Sequence, residues 1–324
     1  MTTTEAAAEI ELCPGDTGAD DVLVLNPRDV PLGGPRAMTV RRTLPHRERS
    51  FVGAWCFVDH YGPQEVPPTG GMDVPPHPHT GLQTVSWLFS GEIEHRDSGG
   101  VHALVRPGEV NLMTAGHGIA HSEVSTPRTG TLHGVQLWVV LPRADRATAR
   151  EFQHHAAPLV DLVPGVRGRV FLGSLAGCAS PVRTFTPLLG AELVLEPGHH
   201  VLPVDPTHEH GLLVDQGSVL LLGAELATGD LGIVDHGRAG LTVVADRPAR
   251  VLLLGGAPFE EEIVMWWNFI AGSHEEIAQV REEWQEHSGR FGEVAGYTGA
   301  TPRLDAPPLP NVRLRPRGRS ARRR

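Results

Sequence analysis

From Met38 onward the chain is a succession of short β-branched or aromatic runs. They are Met38 to Arg42, Trp55 to Asp59, Leu82 to Phe89, Gly91 to Arg96, Ala103 to Arg106, Val110 to Met113 and Val135 to Val140, each bounded by Gly, Pro, Asp or Ser. Runs of that length and punctuation read as strands, and so many in sequence predict an antiparallel barrel or sandwich. The 38 glycines and 28 prolines, about a fifth of the 324 residues, are spread along the chain at turn positions and form no low-complexity block. A polar stretch from Arg143 to Gln153 has helical character, and further short strands follow between about Val170 and Leu254.

The two strand-rich halves share a punctuation. In the first, a strand ends at Ser90-Gly91, and Gly108 opens another that reaches Gly116 eight residues later. In the second, a strand ends at Gln216-Gly217, and Gly229 opens one that reaches Gly237, again eight residues on. This echo predicts a duplicated barrel. The expected organisation is a lead-in over 1–36, a first barrel over 37–145, a connector over 146–180 and a second barrel over 181–272. Ser273-His274-Glu275-Glu276 is a capping box opening a closing helix within 273–291, with Ile277, Val280 and Trp284 on one face. Residues 307–324, rich in Pro and Arg with little to bury, are expected to be disordered.

Charge narrows the partners. The chain has 28 basic and 38 acidic residues and no lysine, and seven of its arginines fall between Arg313 and Arg324. Setting those seven aside leaves 21 basic against 38 acidic residues, a net of −17, which argues against a body that wraps nucleic-acid phosphates. No apolar run approaches the roughly 18 residues of a membrane span, and the acidic start MTTTEAAAEIEL lacks the features of a signal peptide. A cytoplasmic location is expected. Cys13, Cys56 and Cys178 are widely spaced and odd in number, so any metal must sit on other ligands.

Two motifs carry chemistry: Pro76-His77-Pro78-His79-Thr80-Gly81 and Ala115-Gly116-His117-Gly118-Ile119-Ala120-His121-Ser122-Glu123. Residues at i and i+2 of a strand project to one face, so His77 with His79, and His121 with Glu123, can point into a barrel together. Three imidazoles and a carboxylate suit a divalent first-row ion, and an octahedral ion would keep two open positions for water, dioxygen or a substrate oxygen. Zinc would be satisfied by four such ligands; iron, manganese, nickel and copper remain open. His208-Glu209-His210 in the second half is a decoy, because the spacing that places His77 and His79 before Gly91 lands on Pro203 and Asp205 before Gly217. A second complete site is not expected.

The segments HPHTGLQTVSWLFSGEIEHRDSGG (77 to 100), RPGEVNLMTAGHGIAHSE (106 to 123), LHGVQLWVVLP (132 to 142), FQHH (152 to 155), SPVRT (180 to 184) and WWNFI (266 to 270) resemble, in content and order, the pirins of the cupin superfamily. The resemblance covers roughly Met38 to Phe291. It implies an all-β bicupin fold of two stacked antiparallel β-barrels (double-stranded β-helix) with a short C-terminal helix, and a single metal, usually taken as Fe(II), in the N-terminal barrel. The ligand pattern carries over to His77, His79, His121 and Glu123. There are departures: many pirins have a basic or apolar residue, then Phe and Glu, where this chain has Thr80, Leu82 and Gln83, and His117 replaces the usual arginine. These positions border the pocket, so substrate range is less fixed by the resemblance than metal binding.

Two functions follow from it. One is a quercetin 2,3-dioxygenase-like reaction, in which a flavonol chelates the open metal positions and Glu123 takes its hydroxyl proton. The other is a metal- and redox-sensing regulator acting through protein contacts. A solvent-open pocket around Asp59, Gln83 and Gln136 would favour the enzyme, and a sealed site the sensor.

Overall fold

The computed structural model describes residues 21–32, 38–66 and 71–319. The chain forms two barrels, each a seven-stranded sheet with a four-stranded one. In the first half the larger sheet runs, in spatial order, Glu151–Ala156, Glu109–Thr114, Leu82–Ser90, Thr131–Val140, Trp55–Glu65, Met38–Leu44 and Arg28–Leu32; the smaller runs Asp73–His79, Ile119–Ser125, Ile93–Asp97 and His102–Val105. In the second half the smaller sheet runs Gly198–Pro203, Gly240–Ala245, Ser218–Leu221 and Ala224–Ala227. The same alternation of strands recurs in both, so the glycine echo marks a structural repeat. The fold is the bicupin arrangement that the resemblance implies.

The barrels share one apolar cluster that includes Trp55, Trp87, Leu137, Phe171 and Leu252. Trp87 of the first stacks on Phe171 of the second, ring centroids 4.6 Å apart. Trp55 Nε1 donates to the carbonyls of Leu189 and Gly255, both at 3.1 Å, so the indole buried between the barrels leaves no donor unpaired.

The lead-in, as far as it is described, belongs to both barrels: Val22–Leu25 pairs with Leu231–Val234, and Arg28–Leu32 with Met38–Leu44. The expected connector is divided in the same way. Glu151–Ala156 pairs with Glu109–Thr114 of the first barrel, and Val166–Leu172 with Leu188–Leu195 of the second. The helical character read into Arg143 to Gln153 is overridden, because the open edge of the first barrel recruits Glu151–Ala156 as a strand and turns lead up to it. The closing helix spans His274–Gln285, with the Ser273 side chain accepting from the Glu276 N–H at its N-cap, and it buries Ile277, Val280 and Trp284.

The tail departs from expectation over 307–319. Leu309 and Leu314 pack against the cluster that holds Trp284, the backbones of Ile263 and Arg317 exchange two hydrogen bonds of 3.0 and 2.8 Å, Arg313 pairs with Glu275, and Arg319 pairs with Glu209 and Asp235. The acidic body supplies partners whose positions the sequence does not reveal. Residues 320–324, and the lead-in before residue 21 with Cys13, lie outside the described residues. Among those described, no helix is long and apolar enough to cross a membrane.

Candidate metal centre

Asp73–His79 holds Pro75, Pro76 and Pro78 and still forms a strand, because it lies at the edge of its sheet and pairs on one side only, with Ile119–Ser125. Proline is tolerated at such an edge. The turn that follows requires glycine: Gly81 adopts φ +71°, and a Cβ there would come within 2.3 Å of the Ile270 carbonyl oxygen. Register then brings the two motifs together, with His77 opposite His121.

Nitrogen atoms of His77, His79 and His121 all lie within 4.8 Å of one another. His79 Nε2 is 3.1 Å from His121 Nε2. The His77 Nδ1–H donates to the Pro75 carbonyl at 2.9 Å, which leaves the Nε2 lone pair of that ring facing its neighbours. All three side chains are buried. Burial brings the His77 pKa down to about 4; burial first, and then the neighbouring imidazoles, holds His79 and His121 well below the usual histidine range. Three neutral imidazoles with converging lone pairs are a poor arrangement without a cation and a good donor set for a divalent one.

Glu123 is buried as well, and burial raises its pKa above the ordinary carboxylate value. The structure places its carboxylate within 4.8 Å of His121 and of His95, while His77 and His79 are not part of that group. Ser86 Oγ stands 3.2 Å from Glu123 Oε1 and 3.0 Å from Gln136 Oε1. His95 is the residue that the sequence reading missed; it lies opposite Glu123 in the register, and Asp97 lies opposite His121. The available signal was its i, i+2 relation to Asp97, hidden by the equally polar Glu94 and Arg96.

The cluster borders a cavity of about 390 Å³, walled by Phe57, Trp138 and Trp267, with Arg42, Gln136 and Asn268 among its polar lining. Phe57 stacks on Trp138 at 4.1 Å, and the Arg42 guanidinium lies 4.2 Å over the Phe57 ring while it holds Asp59 through two hydrogen bonds of 2.6 and 2.7 Å. Of the three residues expected around the pocket, only Gln136 lines it. Asp59 is turned to Arg42, and Gln83 donates to Thr114 Oγ1 at 2.9 Å. His117 is exposed and not part of the cluster. Trp267 is half-buried and has φ +53°, a left-handed conformation that a bulky residue adopts only when its surroundings impose it.

His208 and His210 belong to no group of three potential ligands among the described residues. In the second barrel the inward positions of Gly240–Ala245 are Leu241, Val243 and Ala245. A further trio, His60, His133 and Asp215, meets between the barrels, with both Nε2 atoms at 2.7 and 2.6 Å from Asp215 Oδ1. Arg250 Nε holds Asp215 Oδ2 at 2.5 Å, and Arg41 Nη2 lies 3.4 Å from His60 Nε2. Two guanidiniums beside the trio oppose a cation there, and the group reads as a hydrogen-bonded clasp.

Comparison with known proteins places this architecture. The pirin domain profile matches residues 37–139, and that of the pirin C-terminal cupin domain matches 190–292. A Pseudomonas aeruginosa protein provisionally named a quercetin 2,3-dioxygenase is 47% identical over 87% of this chain and 89% of its own length. A Caulobacter vibrioides pirin-like protein is 35% identical over 81% of this chain and 92% of its own. The crystal structure of a quercetin 2,3-dioxygenase from Acinetobacter baumannii superposes with a TM-score of 0.86 at 38% identity, covering 92% of this chain and 98% of that one. With both cupin halves matched by their domain profiles and relatives of 47% and 35% identity spanning most of its length, the chain belongs to the pirin family.

Proposed function

We propose that the protein is a metal-dependent dioxygenase that cleaves the ring of a flavonol or a related chelating small molecule, with one divalent ion, Fe(II) first among the choices, held by His77, His79, His121 and Glu123. The observation that carries this reading is the convergence of three buried neutral imidazoles on an aromatic-walled cavity. The names of the relatives support the same reaction. When bound, such an ion supplies Lewis acidity and the chemistry of dioxygen.

The chain's own residues have separable tasks. Phe57, Trp138 and Trp267 form walls for a flat aromatic ligand, and a cavity of this size lies in the range of small-molecule sites, roughly 300–1,000 Å³. Arg42 offers positive charge to a substrate oxyanion. Glu123, desolvated and beside Ser86, accepts the hydroxyl proton of the substrate as it binds. Partly exposed residues such as Arg42 and Trp267 line the cavity, so it opens to solvent, which favours the enzyme over the sensor. The test is metal analysis of the purified protein joined to oxygen uptake with quercetin after loading with iron, manganese, nickel or copper in turn. Uptake with at least one metal supports the reading, and none with any of them defeats it.

A further inference from the structure

His121 turns Nε2 toward His79 and Nδ1 toward His95, whose Nδ1 is 3.4 Å away. His95 Nε2 in turn is 3.1 Å from Asp97 Oδ2. Asp97 is itself fixed: its Oδ1 accepts from the N–H groups of Gly99 at 2.7 Å and Val101 at 3.1 Å. The turn that supplies those donors depends on Gly100, which has φ +91° and donates its N–H to the Asp97 carbonyl. Phe152 covers the His95 ring at 4.9 Å, and His95, Asp97 and His121 are all buried.

With both imidazoles neutral and His121 Nε2 free to ligate, donor and acceptor roles along this line have one assignment. The Asp97 carboxylate, already taking two backbone donors, accepts a third hydrogen bond from the His95 Nε2–H. His95 Nδ1 is then a lone pair and accepts from the His121 Nδ1–H. His121 Nε2 is left without a proton, its lone pair turned to His77 and His79. Pro75 does the same for His77 with a single carbonyl. A carboxylate reaching a ligating imidazole through its outer N–H fixes the tautomer and orientation of the ring and raises its basicity; here a second imidazole extends that reach.

We infer that Asp97 and His95 are a positioning relay that sets the tautomer of His121 and thereby the strength of metal binding. The inference rests on the metal-centre reading above. His95 does not touch the metal or substrate; it acts through His121.

The test measures the affinity of cobalt(II) alone, by chelator competition, for the parent, Asp97→Asn, His95→Leu and His95→Asn, with the absorption spectrum of the bound ion recorded at saturation. The expected result is about 10- to 100-fold weaker binding for Asp97→Asn and His95→Leu, partial rescue in His95→Asn, whose amide oxygen can still accept from His121, and an unchanged cobalt spectrum and stoichiometry once saturated. Melting temperatures of the metal-free variants separate loss of the relay from loss of the fold. Parent-like affinity in both His95→Leu and Asp97→Asn overturns the relay while leaving the metal centre standing. A changed spectrum at saturation in His95→Leu overturns it in favour of direct ligation by His95. A parent that binds no cobalt defeats the metal centre and the relay together.

Discussion

His79 and His121, 42 residues apart in the chain, stand with their Nε2 atoms 3.1 Å from each other beside an aromatic-walled cavity. Neither ring is reachable from the other through local structure; antiparallel pairing of Asp73–His79 with Ile119–Ser125 brings them together.

If this pair and His77 hold the ion, the double variant His79→Ala/His121→Ala should lose most of its metal while the second barrel stays folded. His208→Ala/His210→Ala should keep a parent-like content. Elemental analysis alongside circular dichroism decides it, and stoichiometric metal in the first variant would refute the ligand assignment.

Glu123→Gln keeps the size of the side chain and a carbonyl oxygen but removes the carboxylate proposed as the base. We expect partial metal retention and oxygen consumption with quercetin reduced by roughly 10²–10⁴-fold, the range for a general base. Near-parent turnover at saturating quercetin would place the base elsewhere.

Truncation after Pro308 removes Leu309 and Leu314 from the Trp284 cluster, together with the Arg319 ion pairs. Loss of two partly buried leucines should cost on the order of 2 kcal/mol, readable as a lower urea midpoint with metal content unchanged. A parent-like midpoint would mean that the tail adds nothing to stability.

The metal-free protein should lose stability as pH falls through the histidine range. His77 in the folded state titrates near 4, below its unfolded value of about 6.5. Between those values the unfolded chain binds the proton and the folded chain does not, so the contribution is complete above about 6.5 and is lost as pH drops toward 4. His77→Leu should flatten this part of the profile of urea midpoint against pH. An identical slope in parent and variant would count against a buried, neutral His77.

Much was legible in the sequence because its causes are local. Turn-bounded β-branched runs declared a barrel, the i, i+2 spacing of His77 with His79 and of His121 with Glu123 declared shared strand faces, and Ser273 with Glu276 declared the closing helix. What depended on distant partners was not legible. Arg143 to Gln153 carries helical propensity, yet an open sheet edge made its end a strand; Arg313 and Arg319 looked like solvated tail until the folded body set Glu275, Glu209 and Asp235 beside them. His95 and Asp97 lie on a strand that reads as ordinary alternation, and only the register against Ile119–Ser125 gives them His121 as a neighbour. Likewise His60 and His133 become a clasp only because the second barrel inserts Asp215 between them. Side-chain chemistry and strand period are written in the chain; which faces meet is decided by burial of the shared core, a cooperative property of the whole fold.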